Sequence, residues 1–322
     1  MTQEKLFETV LIEPLSHSCD ELHIVSGYSH PTMATRHYEE IDRMEKKVHV
    51  NLIIGMCQAD GILRNDHDLF RELVAEHYPT YFNCRYVTKG KPVHSKVYVW
   101  MKEKQPVVAF VGSANYSQSG FFRLEETMTT CDPALAYTYF KTVLSNSTDC
   151  REDEVENKIR LLEEMPVRRR VLHPATGQVE STIDLTLASG LPTRRVSLLL
   201  RDGTMATRSG LNWGMRPERS YSPEAYISLR PDVYRSDFFP PRGQHFTVLV
   251  DNKLIPIVCS RGQKDEATAI STPNNNTEFG RYFRAKLGIG EHEPVTKEAL
   301  ERYGKTYVDF YKLNEDEYLM VF

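Results

Sequence analysis

V-H-S-K-V-Y-V-W-M (residues 93–101) and V-V-A-F-V-G-S-A-N (residues 107–115) are the two stretches that decide the fold of the first half of the chain. Both are apolar enough to form buried strands, and continuous apolar strands are typical of a sheet that helices cover on both faces. A period of two puts His94 and Lys96 on one face of the first strand. The second strand is predicted to end at Val111, directly before Gly112-Ser113-Ala114-Asn115. Polar side chains therefore gather at the ends of two neighbouring strands.

The segments on either side alternate between strand and helix patterns. Short β-type runs occur at Leu22–Ser26 and His49–Gly55, whereas Asp66–His77 and Pro133–Leu144 have apolar residues at helical spacing. We predict an α/β sandwich for the first half, with a mixed sheet flanked by helices. The highly charged run Asp149–Glu164 is predicted as a linker helix, so that the first domain covers residues 1–165.

The second half has a different pattern. Short strand-like runs alternate with loops rich in Gly, Pro, Asn, Ser and Arg, which predicts a mostly-β pseudobarrel over residues 175–322. The runs are Val196–Leu200, Glu224–Leu229, His245–Val250, Leu254–Cys259, Tyr307–Tyr311 and Tyr318–Phe322.

Charge is distributed unevenly along the 322 residues, although the net charge is only −4. Residues 1–165 carry 18 Lys and Arg against 25 Asp and Glu, whereas residues 166–286 carry 18 against 11. A basic segment between acidic ones indicates a module that faces a polyanion, the alternative being chance variation in surface charge. The six cysteines include no C-x-x-C pair, and no apolar run is long enough for a membrane span or signal peptide. We expect a cytoplasmic protein without a membrane partner.

Each polar group has an ordinary explanation when it is taken alone. His94 and Lys96 could belong to a strand edge that faces water, and Gly112–Asn115 could be a plain turn. The combined pattern is more specific, because H-x-K is followed by G-S-x-N and then by Glu126. It resembles the signature of the phospholipase D superfamily. Many members have an Asp five residues after the Lys, where this chain has Met101; the restriction endonucleases of the superfamily also lack that Asp.

The residue types suit phosphodiester cleavage. Lys96, Ser113 and Asn115 can hold the non-bridging oxygens as negative charge builds up. A neutral His94 is a competent nucleophile at phosphorus and would form a phosphohistidine, while Glu126 would fix the tautomer of an imidazole. We predict no metal and no cofactor. The nearest metal-type cluster, Asp66-His67-Asp68, is better explained as the polar start of a helix.

This chemistry needs a second, protonated histidine that gives its proton to the leaving oxygen. The chain contains one complete motif, so the resemblance implies a homodimer, assembled through the first domain, with one composite site. Such a site cuts one strand at a time.

Two long segments of the basic half are predicted as loops and carry side chains of the types that recognise DNA bases or phosphates. One is Arg208–Tyr221 and the other is Thr272–Arg284. Ordinary surface loops are the alternative for either segment alone. The candidate DNA-binding residues are Arg208, Asn212, Trp213, Arg216, Arg219, Asn274, Asn275, Glu278, Arg281 and Arg284.

Nearly the whole chain resembles the NgoFVII-type restriction endonucleases, relatives of BfiI. In the second half the resemblance rests on Gly210–Gly214 before Arg216, and on Pro273–Asn275 before Gly280–Phe283. It implies a type II restriction endonuclease with a phospholipase-D-type nuclease domain and a DNA-binding domain like that of plant B-three transcription factors. Double-stranded DNA is the expected partner.

Two other functions remain open from the sequence. Some relatives act with a separate ATP-driven helicase-like subunit, so the chain could be the DNA-recognition subunit of such a complex. It contains no G-x-x-x-x-G-K-S/T, and any motor would come from a partner. The second alternative is a phosphodiesterase of the same superfamily that acts on a substrate other than DNA.

Overall fold

The computed structural model of the protein describes residues 5–162, 168–172, 179–183, 185–251, 253–260, 266–273 and 276–322. The chain divides into two compact units, Met1–Glu164 and Met165–Phe322. None of the helices within these described residues is long and apolar enough to cross a bilayer.

Unit 1 alternates strands and helices, as its sequence pattern predicts. Its strands are β1 (Glu21–Ser26), β2 (His49–Ile54), β3 (Ile62–Leu63), β4 (Phe82–Val87), β5 (Lys96–Lys102), β6 (Gln105–Gly112), β7 (Met128–Cys131), β8 (Ser147–Asp149) and β9 (Leu161–Leu162). Its α-helices are α1 (Glu13–Ser16), α2 (Pro31–Arg43), α3 (Arg64–Glu72) and α4 (Pro133–Ser145). Three π-helical turns cover Glu8–Ile12, Leu73–His77 and Ser119–Arg123.

Seven strands of unit 1 form one mixed sheet in the order β7-β6-β5-β1-β2-β4-β8. Strands β1, β2 and β4 are parallel, and the other neighbours are antiparallel. Both faces are buried: Tyr98 and Trp100 of β5 enter the larger core, whereas Val97 and Val99 pack with residues of α4 such as Phe140. The predicted mixed sheet between helices is confirmed.

The first motif strand begins later than its apolar pattern predicts, at Lys96 instead of Val93. The backbone of Val93 leaves the ladder because its N–H donates to the carbonyl of Gly55 at 3.1 Å. The two segments cross so closely that a Cβ at Gly55 would lie 1.8 Å from the Val93 oxygen. His94 therefore precedes the strand, and only glycine fits at position 55.

The predicted linker helix over Asp149–Glu164 is wrong for the described residues of this range, which end at Leu162. Asp149 ends β8, Asp153–Asn157 is a 3-10 turn, and Leu161–Leu162 pairs with β3. The Asp149 carboxylate accepts a hydrogen bond from the Arg151 N–H at 2.9 Å, a local bond that competes with helix formation. Tertiary burial of the few apolar residues in the segment, including Val155, outweighs its helical charge pattern.

Unit 2 is mostly β. Its strands are β10 (Arg168–Leu172), β11 (Val179–Ile183), β12 (Thr193–Ser197), β13 (Tyr226–Ser228), β14 (His245–Val250), β15 (Lys253–Ser260), β16 (Ala269–Ser271), β17 (Tyr307–Lys312) and β18 (Glu317–Val321). Its α-helices are α5 (Pro231–Tyr234), α6 (Thr277–Leu287) and α7 (Lys297–Tyr303). The main sheet runs β12-β17-β18-β14-β15-β16-β13 and is antiparallel except for the β14–β18 pair.

The second candidate DNA-binding segment is largely a helix, which corrects its prediction as a loop. Phe279, Phe283 and Leu287 recur every four residues and are buried on one face of α6. The Asn-rich start of the segment hides this short apolar period. Glu278, Arg281 and Arg284 therefore lie on a helix that packs on the core of unit 2.

Candidate functional site

The polar ends of four strands meet at one edge of the unit 1 sheet. Strand β5 runs antiparallel to both β1 and β6, and its register pairs Val97 with Val25 and Lys96 with Gly112. The start of β5 therefore lies beside the ends of β1 and β6. Gly55, which follows β2, accepts a hydrogen bond from the Val93 N–H, so the end of β2 lies at the same edge and fixes the segment before His94.

Lys96 is the buried charge of this edge. Its side chain is only 5% exposed, whereas His94 is exposed. The Lys96 Nζ donates to the His94 carbonyl oxygen at 2.6 Å and lies 3.1 Å and 3.2 Å from the two ring nitrogens of His94. Burial lowers the pKa of Lys96, and the negative charge of Glu126 acts in the opposite direction. A nearly buried ammonium group thus contacts an imidazole that is exposed to solvent.

Asn115 is oriented by groups at the end of β1 and directly after it. Its Oδ1 accepts from the Tyr28 backbone N–H at 3.1 Å and lies 3.4 Å from the Ser26 hydroxyl. The Ser26 hydroxyl also accepts from the Tyr116 N–H at 2.9 Å, which ties β1 to the loop after β6. Because the amide oxygen faces these donors, the Asn115 NH₂ group is the part of the side chain left to donate to a ligand.

Gly27 is the floor on which these side chains converge. A Cβ at this position would lie 3.0 Å from Cδ2 of His94, 3.2 Å from Nζ of Lys96 and 3.4 Å from Oδ1 of Asn115. In the sequence, Gly27 is marked only as the residue that follows the predicted strand Leu22–Ser26. The signal that points to a site is a glycine directly after a buried parallel strand, at the sheet edge that carries the other motifs.

Ser113 and Glu126 are brought to the same edge by the β6–β7 hairpin. The Ser113 N–H donates to the Thr127 carbonyl oxygen and the Thr127 N–H to the Ser113 Oγ, both at 3.0 Å. A Cβ at Gly112 would lie 2.0 Å from that same Thr127 oxygen, so the hairpin requires this glycine. Glu126 precedes Thr127 and is half-buried, whereas Glu125 is exposed. All five predicted catalytic residues thus lie at this edge.

Met101 takes no part in the cluster. It is 1% exposed and packs in the smaller core on the α4 side of the sheet. The position that carries an Asp in many similar motifs is therefore apolar both in sequence and in surroundings.

Four of the candidate DNA-binding residues of unit 2 line one open cavity of about 830 Å³: Arg208, Trp213, Arg216 and Arg219. The guanidinium carbons of Arg216 and Arg219 lie 4.0 Å and 4.8 Å from the centroid of the Trp213 ring. Arg219 also donates to both carboxylate oxygens of Glu224 at 2.8 Å. The cavity therefore presents a tryptophan ring in contact with two arginine side chains.

Asn212 and Arg284 have a different role from the predicted one. Asn212 is 2% exposed; its amide donates to the carbonyls of Ala206 and Val295 and accepts from the Val295 N–H, all within 2.8 Å. Arg284 is 1% exposed and donates to backbone carbonyls, including that of Glu293 at 3.0 Å. We correct the prediction for these two residues, because they hold the backbone together inside unit 2.

The other candidates of unit 2 lie on or near α6. Arg281 is exposed and its Nε lies 3.2 Å from Oε2 of Glu291. Glu278 is in the first turn of α6, next to Thr277, which lines the same cavity as Trp213. Asn274 and Asn275 lie outside the described residues.

Comparison with known proteins gives a match for each unit. Residues 4–157 match the family model of the NgoFVII restriction endonuclease N-terminal PLD domain. Residues 186–314 match the model of the NgoFVII C-terminal B3-like DNA-binding domain. No curated protein matches the chain.

Similar solved structures cover about half of this chain. A phospholipase D family member, Nuc from Salmonella typhimurium, is 14% identical with a TM-score of 0.32, over 44% of this chain and 91% of Nuc. NucT from Helicobacter pylori is 14% identical with a TM-score of 0.31, over 46% and 96%. Polyphosphate kinase from Porphyromonas gingivalis is 12% identical with a TM-score of 0.30, over 47% and 24%.

A side chain at position 27 would displace the catalytic side chains that converge there. Gly27→Ala should lower the rate of phosphodiester cleavage about ten- to a hundredfold, because a displacement of reacting groups by less than 1 Å is enough to misalign them. The fold should persist, since the new methyl group meets the far ends of side chains and not backbone. The measurement is a cleavage rate together with a melting temperature. Gly290→Ala is the control, because its nearest neighbour lies at an ordinary 3.4 Å; full activity in Gly27→Ala would contradict the site.

Proposed function

We propose that this chain, which belongs to the NgoFVII restriction endonuclease family, hydrolyses double-stranded DNA through a phosphohistidine intermediate, without metal, at one composite site per homodimer. Its two units are a phospholipase-D-type nuclease domain and a B3-like DNA-binding domain. The observation that carries the mechanism is the buried ammonium of Lys96 against the exposed imidazole of His94, beside the oriented amide of Asn115.

Substrate binding follows from the charges at this edge. A phosphodiester carries one negative charge, and the reaction adds charge to its non-bridging oxygens as the new bond forms. The Lys96 ammonium and the Asn115 NH₂ group are donors already fixed before substrate arrives, so little reorganisation is needed. The charge of Glu126 favours the protonated form of Lys96, which opposes the effect of burial on the pKa of that lysine.

His94 is the proposed nucleophile. Its imidazole is exposed and lies against the Lys96 ammonium, so a phosphate bound by Lys96 would be adjacent to the ring. The ring nitrogen attacks phosphorus, the P–N bond forms, and the P–O bond to one deoxyribose breaks. Water then cleaves the P–N bond and restores the imidazole. The leaving oxygen must receive a proton in the first step.

The second copy of the chain supplies that proton. His94 is the histidine of the single H-x-K motif, and we infer that the same residue of a second copy faces it across a two-fold axis. One imidazole is then neutral and attacks, while the other is protonated and acts as the general acid. A symmetric pair thus has to differ in protonation, and the dimer cuts one bond at a time.

The donor set supports chemistry without a metal. Among the five predicted catalytic residues, Glu126 is the single carboxylate, whereas two-metal nuclease sites require several oxygen ligands around ions roughly 3.5–4 Å apart. Lys96 and Asn115 supply the positive charge and the donors that a metal would otherwise provide. Free thiols and a DNA substrate are consistent with a cytoplasmic protein.

Unit 2 is the proposed reader of the recognition sequence. We assign DNA contacts to the exposed or half-buried members of the candidate set and leave out the buried Asn212 and Arg284. The Trp213 ring and the neighbouring Arg216 and Arg219 offer a surface that could bind phosphates and base edges together. Arg208 lines the same cavity, and Arg281 is a further exposed arginine on α6.

The metal-free mechanism is tested with plasmid DNA in EDTA. Wild-type protein should give discrete fragments, and His94→Ala should give none because the nucleophile is missing. Glu126→Gln should slow cleavage, with Glu125→Gln as the matched control one residue away on an exposed side chain. Activity that needs an added metal would contradict the mechanism. Cleavage that appears only with ATP and a helicase-like subunit would favour the DNA-recognition subunit instead.

The composite site is tested by mixing subunits. After exchange of equal amounts of wild type and His94→Ala, a site that needs both histidines should leave about one quarter of the activity, because only dimers of two wild-type chains cut. Independent sites should leave about one half. Light scattering on the same mixtures should give the mass of a dimer, and a mixture of wild type with Glu125→Gln controls for dilution. A strict monomer that cuts DNA would refute the shared site.

The role of unit 2 is tested by the salt dependence of DNA binding. Arg208→Ala and Arg219→Ala should each weaken binding and reduce the slope of log K against log salt by about 1, because each phosphate contact releases counterions. Arg195→Ala is the matched control: Arg195 is also exposed and stacked on an aromatic ring, at 3.7 Å from the Tyr307 centroid, but lies on β12 outside the cavity. Equal effects of all three changes would contradict the assignment.

A further inference from the structure

Tyr28 is an exposed aromatic residue, 39% accessible, that lies next to the site and whose side chain has no role in the mechanism above. Its hydroxyl donates to the Asp60 carboxylate. Its ring packs against the His94 imidazole, with centroids 5.5 Å apart and planes at 77°. Its backbone N–H donates to Oδ1 of Asn115 at 3.1 Å. One residue therefore contacts two of the five predicted catalytic side chains.

The ring contact matters because His94 is exposed, and because the Lys96 ammonium lies at nearly the same distance from both ring nitrogens and so does not select one of them. An exposed histidine rotates about its Cβ–Cγ bond on a fast timescale, and each orientation presents a different ring atom to a bound phosphate. An edge-on aromatic neighbour is a favourable arrangement that restricts this rotation. Attack on phosphorus needs the ring nitrogen close and in line, so the fraction of time spent in that orientation enters the rate directly.

The Asp60 contact keeps the Tyr28 ring in place. Tyr28 follows Gly27, and at this degree of exposure core packing alone does not fix the ring. A hydrogen bond from a hydroxyl to a carboxylate is short and strong compared with a neutral one. The same bond raises the pKa of Tyr28, so the hydroxyl keeps its proton and remains the donor. While it is bound to Asp60, this proton is not offered to the substrate.

We propose that Tyr28 is a positioning residue that aims the His94 imidazole at phosphorus, and that Asp60 acts only through the hydroxyl of Tyr28. The proposal rests on the proposed phosphohistidine chemistry, because it assigns a role relative to that nucleophile. It differs from a structural role in unit 1, because the contacts of Tyr28 are with site side chains and an exposed turn. A positioning role also differs from direct contact with the substrate, because loss of a substrate contact would weaken the affinity for DNA and raise KM.

The experiment compares the kcat and KM of cleavage for four variants of the full-length protein: Tyr28→Ala, Tyr28→Phe, Asp60→Asn and the double variant Tyr28→Phe/Asp60→Asn. Tyr28→Ala removes the ring and should lower kcat about tenfold or more with little change in KM. Tyr28→Phe keeps the ring but loses the Asp60 bond, and Asp60→Asn weakens the same bond, so both should cause a smaller loss. The kcat of the double variant should be no lower than that of Tyr28→Phe alone, because without the Tyr28 hydroxyl Asp60 has no hydrogen bond to accept from this side chain.

Tyr303→Phe is the matched control. Tyr303 is also exposed, at 37%, and its hydroxyl donates a single hydrogen bond, to the Phe322 carbonyl oxygen in unit 2. It should leave kcat unchanged. An unaltered kcat in Tyr28→Ala, a rise in KM alone, or additive losses in the double variant would each overturn the proposal.

A second measurement does not depend on cleavage. In protein with isotope-labelled histidine, the ring signals of His94, assigned with a His94→Gln variant, should shift and average in Tyr28→Ala but not in Tyr303→Phe. Unchanged His94 signals would overturn the positioning role even if wild type proved inactive. Cleavage by His94→Ala at the wild-type rate would refute the proposed function instead, so the two failures are distinguishable.

Discussion

The unit 1 site depends on holding the Lys96 ammonium in a nearly buried position against an exposed imidazole. Burying a charge is costly, and the cost is met here by the His94 carbonyl, by a ring nitrogen and by the field of Glu126. The arrangement needs backbone segments that approach closer than any side chain allows. Gly55 lets the segment before β5 cross the end of β2, and Gly27 leaves room where the side chains converge.

The direction of the strands brings the polar groups of the site together. Because β5 is antiparallel to β1 and β6, the beginning of one strand and the ends of two others share an edge. The Ser26 hydroxyl and the Tyr28 N–H then reach Asn115 from a strand about 90 residues earlier in the chain. Polar groups that lie far apart in sequence thereby satisfy one another, and the donors that remain are aimed at one position.

Unit 2 separates its polar residues by burial. The residue types of Asn212 and Arg284 and their predicted loop positions indicate DNA contacts. Both side chains are instead buried and donate hydrogen bonds to backbone carbonyls. Leaving such groups unpaired inside a protein would be expensive, so they are conformational ties. Arg208, Arg216 and Arg219 remain at an open cavity around Trp213, where their charges are accessible.

The sequence by itself determined the elements whose signal is local: the apolar strands, the motif residues at their ends, and the chemistry that His, Lys, Asn and Glu at that spacing can perform. It misjudged Asp149–Glu164 and the start of α6, because charge and Asn content hide which few apolar residues become buried. Only the tertiary structure identified Gly27 as the floor of the site, Tyr28 as the neighbour of His94, and Asn212 and Arg284 as internal ties. These roles depend on strand order and burial. Both bring together residues that are far apart in the sequence, and no helical or strand periodicity relates such residues.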